Sequence, residues 1–221
     1  MILQDIWNLC EDEIFLVTST DILFNMYKDF DERVDLANAA EIRRNNLYNY
    51  LQSFKRKPEF LIIAEAPGPW GCRFSGVALT SEYQLVYNKL PFHGQLSSRK
   101  EPAIDVKKTA PYRSNTSDQF WEVMLPFHEN IFVWNCVPFH PHKIGRILNP
   151  IRNPSTNEVK QFSDILVKLR DILGPKKILS VGKTSFNALE KLHIESRYIR
   201  HPSRGGFKKF KEEILNEVRK P

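Results

Sequence analysis

The side chains able to do chemistry fall in four short segments: Glu65-Ala66-Pro67-Gly68, Asn135 through His142, Gly182-Lys183-Thr184, and His201-Pro202-Ser203-Arg204-Gly205-Gly206. Glu65 offers a carboxylate, which accepts hydrogen bonds and can orient or deprotonate water. Asn135 offers a donor and an acceptor on one amide, and His201 an imidazole whose charge changes near neutral pH. Other patterns fall short. Gly182-Lys183-Thr184 has the end of a phosphate-binding P-loop, but that pattern needs a Gly at the position of Lys177. Cys136, His140 and His142 are metal-ligand types, yet Pro138 and Pro141 stiffen the turn and no fourth ligand lies nearby. A turn or substrate-contact role is therefore favoured over zinc. A Gly-x-Ser-x-Gly elbow is absent, so a serine hydrolase triad has no anchor.

Each segment follows a run that reads as a strand. Phe60–Ala64 and Ile131–Trp134 are apolar without alternation, as in a parallel sheet buried on both faces; Lys177–Val181 and Arg197–Arg200 complete the set. Helical spacing marks Leu36–Phe54, Ser163–Leu173 (Ser163 as cap, Gly174-Pro175 as stop), Lys183–Leu192, and the tail from Phe207, where Phe207, Phe210, Ile214 and Val218 share a face. Alternating strands and helices predict one α/β domain over 1–221: three layers, α/β/α, around a central, mostly parallel four-stranded sheet. Ligands of such sheets bind beyond the C-terminal ends of the strands, where the four polar segments would converge.

Composition narrows the class. With 221 residues, 42% of them hydrophobic, the chain can form a core. Its longest apolar run, Phe60–Ala64, is far short of the ~20 residues a membrane helix needs, so no membrane span is expected. The first residues lack a basic region and a cleavage site, and Cys10, Cys72 and Cys136 are isolated; both features fit a reducing, cytoplasmic setting. Residues 1–35 hold nine acids and two bases, a net of −7. Since the whole chain carries +6, residues 36–221 carry +13, which suggests a polyanionic partner for the main body and an acidic N-terminal extension packed on or beside it. Residues 88–117 are the least structured stretch, with six bases (Lys89, Arg99, Lys100, Lys107, Lys108, Arg113) against Glu101 and Asp105.

Taken in order, Ala64-Glu65-Ala66-Pro67-Gly68 with Gly71-Cys72-Arg73-Phe74-Ser75-Gly76, then Phe132-Val133-Trp134-Asn135, then His201-Pro202-Ser203, resemble the three motifs of the uracil-DNA glycosylase superfamily. The similarity spans about residues 35–215 and is greatest to the branch carrying Gly-Glu-Ala-Pro-Gly, without that branch's four cluster-binding cysteines. Many members hold an Asp or Asn directly before the motif's Pro, where this chain has Ala66, and many hold a bulky apolar wedge after His-Pro-Ser, where Arg204, Gly205 and Gly206 stand.

The resemblance implies a monofunctional enzyme of base-excision repair that flips uracil out of DNA and cuts its N-glycosidic bond with water. It implies Glu65 and His201 as catalytic residues, Ala66, Phe74 and Asn135 around the base, and Arg73, Ser203, Arg204 and Gly205 against DNA. The Asn135 amide matches the carbonyl and N–H of uracil's edge and mismatches cytosine; Phe74 would stack on the ring; His201 would donate to the oxyanion forming on the leaving base. No metal or organic cofactor is required, and a monomer is expected. Without a wedge, single-stranded or mismatched uracil should be favoured. A catalytically weak nucleic-acid-binding homologue and a glycosylase for another deaminated or mispaired base are the alternatives.

Overall fold

The computed structural model describes all residues except 1–2, 88, 105, 149–151 and 220–221; Asp105 of the basic stretch thus lies outside the described residues. In chain order the elements are α1 (Gln4–Glu13), β1 (Leu23–Phe24), α2 (Ala39–Gln52), β2 (Phe60–Ala64), α3 (Cys72–Ser75), α4 (Glu82–Val86), α5 (Asn115–Met124), β3 (Ile131–Asn135), β4 (His140–Pro141), α6 (Thr156–Gln161), α7 (Ser163–Leu173), β5 (Lys177–Val181), α8 (Lys183–Lys191), β6 (Arg197–Ile199) and α9 (Phe207–Val218). A 3-10 turn, Leu125–Asn130, leads from α5 into β3.

The main sheet is wholly parallel, in the order β3-β2-β5-β6 and flanked by helices. Every residue of β2 and β3 is buried, which is why both read as unbroken apolar runs. Register sets the strand ends level: Ala64 pairs with Asn135, Ile63 with Ser180, and Val181 with Ile199. From β2 the chain crosses to β3 on one side, whereas from β5 it crosses to β6 on the other. The loops after β2 and β5 therefore diverge and leave a crevice, the usual ligand position in such sheets. Among the described residues no helix is long and apolar enough to cross a membrane.

The acidic N-terminal residues form part of this body. Ile6, Leu9, Cys10 and Ile14 are buried in the main core, and β1 pairs with β4. Asp35 is sealed between two arginines. Arg73 grips it with both terminal nitrogens, 2.7 and 3.0 Å away, and Arg43 reaches the same carboxylate from α2. Burial alone would raise the Asp35 pKa, but the two guanidinium groups outweigh it and hold the carboxyl below its ordinary value.

Several boundaries differ from the sequence reading. The helix expected over Leu36–Phe54 is Ala39–Gln52, and Ser163 does not cap α7. A short helix, α6, runs directly into α7, so the Ser163 hydroxyl donates back to the Lys160 carbonyl; the cap is Ser155, in a capping box with Glu158. The 88–117 stretch is also better anchored than its composition suggests. The buried Glu82 carboxylate accepts from the Ser97 and Ser98 N–H groups, the Ser98 hydroxyl and the Tyr112 N–H, and α5 begins inside the stretch.

Candidate active site

The Glu65 side chain lies in the crevice. Gly182, at φ +96°, forms its floor, and a Cβ there would sit 2.7 Å from Glu65 Oε1. The backbone around Glu65 is fixed by Cys136 N–H donating to the Ala64 carbonyl (2.8 Å) and Val137 N–H to the Glu65 carbonyl (3.2 Å). Among the described residues no hydrogen bond reaches the carboxylate itself, which leaves its oxygens for water. Gly182-Lys183-Thr184, a failed P-loop by sequence, is therefore the turn that makes room for this carboxylate.

Asn135 ends the neighbouring strand and is only 5% exposed. Its Nδ2 donates to Cys72 Sγ at 3.5 Å, which orients the amide. Burial pushes the Cys72 thiol up to about 12, so it remains a neutral acceptor. One Nδ2 hydrogen and Oδ1 remain for a ligand. Sequence reasoning gave Cys72 no role; its place in the Gly71–Gly76 turn was the only local signal.

His201 follows β6. Its Nδ1 accepts the Ser203 backbone N–H at 3.1 Å, and the Ser203 hydroxyl is 2.7 Å away. The intervening Pro202 fixes φ and brings no N–H of its own, which favours this return. With Nδ1 accepting, the proton of the neutral ring belongs on Nε2. Burial lowers the His201 pKa, the Glu65 charge raises it, and Arg200 and Arg204 lower it further; the net direction is down. The site thus holds a neutral imidazole with one free donor beside a carboxylate. Arg204→Ala removes one of the two cations, so the His201 ring, followed by NMR, should titrate at higher pH than in the wild type. An unchanged or lower midpoint would contradict the charge assignment.

The remaining candidates divide. Ala66 is partly buried against the main core, Ser203 is half-buried, and Arg204 and Gly205 are exposed at the rim in left-handed conformations, φ +53° and +74°. Arg73 and Phe74 require correction. Arg73 is fully buried and committed to Asp35, so it does not face DNA. Phe74 is fully buried in a small core with Val34, Tyr112 and Leu148; Arg73 lies 4.2 Å from its ring centre and Tyr112 4.3 Å. In this conformation it has no free face for a base. Of the metal-ligand types, His140 is buried with its two ring nitrogens 2.7 and 2.6 Å from the Pro67 and Ile147 carbonyls, one of which takes the single N–H of the neutral ring.

A cavity of about 660 Å³ opens at the opposite end of the sheet, lined by Lys55, Arg56 and Asn130 before the strands begin. It contains none of the groups above. The strand-end rim, which carries the carboxylate, the amide and the imidazole, is the better candidate.

Among solved structures, one similar to this chain is "The crystal structure of WT Pedobacter heparinus SMUG2". It is 13% identical, with a TM-score of 0.66 over 99% of this chain and 97% of that one. No curated protein sequence matches the chain. The family profile described as the uracil DNA glycosylase superfamily matches residues 51–219, which include β2, β3 and β6 with Glu65, Asn135 and His201 at their ends, and the chain belongs to that superfamily.

Proposed function

We propose that the protein is a monofunctional uracil-DNA glycosylase. The observation that carries this reading is the shared rim: an uncommitted Glu65 carboxylate in the switch-point crevice, an Asn135 amide fixed by Cys72, and a neutral His201 presenting Nε2–H. Asn135 reads the edge of an extruded uracil through its remaining N–H and Oδ1. As the glycosidic bond lengthens, negative charge grows on the base and the His201 Nε2–H stabilises it. A preorganised neutral donor does this without reorganising at the moment of reaction. Glu65 orients the water that attacks the sugar and takes up its proton. These groups act through water, so the product is an intact strand with an abasic site.

The solved neighbour is called SMUG2, and at 13% identity that likeness bears on fold alone. A nucleic-acid-binding homologue without cleavage is the second reading; it rests on Ala66, which supplies no water-handling group of its own.

Strand preference tests the proposal. Position 204 carries a charged side chain and positions 205 and 206 none, so none of the three residues directly after Ser203 has an apolar side chain to fill the space a flipped base leaves, and Phe207 is the first apolar side chain beyond them. Extrusion from a duplex costs a few kcal/mol and from a single strand much less. Single-turnover excision should therefore rank single-stranded, then G·U, then A·U. Strand scission should appear only after alkali. Scission before alkali, or A·U excision as fast as single-stranded excision, would contradict the mechanism and the missing wedge respectively.

A further inference from the structure

Beside the candidate site, aromatic rings and cations are paired along the surface. Trp70, five residues beyond Glu65, is partly exposed; its ring stacks on Phe74 with centroids 6.3 Å apart, and Lys108 Nζ sits 4.6 Å from its centre. The Tyr112 ring lies 5.2 Å from that of Trp70, and its backbone carbonyl accepts the Tyr83 N–H at 3.1 Å. The Tyr83 ring carries the Arg113 guanidinium at 4.6 Å and stands 4.8 Å from Tyr87, which is 54% exposed. Asp118 holds Arg113 in place at 2.6 Å.

We propose that Trp70, Tyr83 and Tyr87, with Lys108 and Arg113, form a stacking path for unpaired nucleotides of the substrate DNA strand flanking the excised base. The proposal rests on the function inferred above and extends it to the substrate's strand state. Three features support it. Trp70 stands in the loop that holds Glu65, and Tyr112 links it to Tyr83 and Tyr87 on and after α4. Tyr87 presents an exposed ring to a base, while Lys108 and Arg113 lie over the Trp70 and Tyr83 rings, so a phosphate that draws each cation aside uncovers the aromatic face beneath it for the base. The bases of a duplex are already stacked on one another and offer no free faces, so the path selects single strands. It also gives the basic 88–117 stretch a role: Glu82 anchors its backbone while Lys107, Lys108 and Arg113 remain exposed.

The test is fluorescence anisotropy with an undamaged oligothymidylate and with an undamaged duplex of equal length. Tyr83→Ala/Tyr87→Ala should weaken oligothymidylate binding about tenfold, as expected for lost base stacking, while duplex binding changes little. Tyr83→Phe/Tyr87→Phe should bind like the wild type. Tyr87→Ala alone, at an exposed position, should shift affinity in the same direction and decides the matter if the double variant unfolds. Unchanged oligothymidylate binding in a folded variant, or equal losses on both DNAs, would overturn the path. Uracil excision is measured on the same preparations. A wild type that binds as described without excising removes the proposed function and leaves the path; excision with normal binding by the Ala variants removes the path alone.

Discussion

Asn135→Ala and His201→Ala should each lower single-turnover uracil excision by ~10²-fold or more, because each removes a preorganised polar group from a desolvated site. The losses have different origins. Without Asn135 the pocket loses the amide that separates uracil from cytosine, so discrimination between the two bases should fall with the rate. Without His201 the leaving base loses its Nε2–H donor, and discrimination should survive while the chemical step slows. Affinity for undamaged DNA should barely change, since phosphate contacts dominate it. Equal losses of excision and of undamaged-DNA binding would contradict both roles.

Asp35→Ala should destabilise the fold by about 3–5 kcal/mol, the range for removing one partner of a buried ion pair. The reason is specific: two guanidinium groups, Arg43 and Arg73, would remain fully buried without their shared carboxylate. Against a total stability of about 5–15 kcal/mol this is a large fraction, and it should be plain in urea unfolding. The pH dependence has a definite sign. The folded-state pKa of Asp35 is below its ordinary value of 3.8, so its contribution is fully present above that value and is lost as the pH falls through the lowered folded pKa. The gap between wild type and Asp35→Asn should therefore close only in strong acid. A destabilisation under about 1 kcal/mol at neutral pH would mean that the arginines find other partners or water.

The strand ends were legible because the local signals agree. Phe60–Ala64 and Ile131–Trp134 are apolar throughout, as a doubly covered parallel strand must be, and Pro, Gly or polar residues mark where each stops. Glu65, Asn135 and His201 each stand where such a run stops, so their places at the strand ends could be read from the sequence alone. Arg73 and Phe74 could not. Asp35 is 38 positions from Arg73, and nothing near Arg73 in sequence announces that a carboxylate will bury it. The same distance hid Tyr112 from Phe74. Glu82 gathers groups from residues 97, 98 and 112, which made an apparently loose basic stretch a fixed one. Ser155 was different: the Ser-x-x-Glu spacing to Glu158 was present in the sequence and marks the true start of the α6–α7 pair.

The most direct measurement of the central claim is base release. The pure protein is incubated with single-stranded DNA containing one uracil, and with a control strand containing cytosine at the same place. Free bases are then quantified by mass spectrometry, and the strands are examined before and after alkali. Free uracil from the first strand, no cytosine from the second, and cleavage that appears only after alkali is the expected result. Tight binding to both strands with no base released would contradict it.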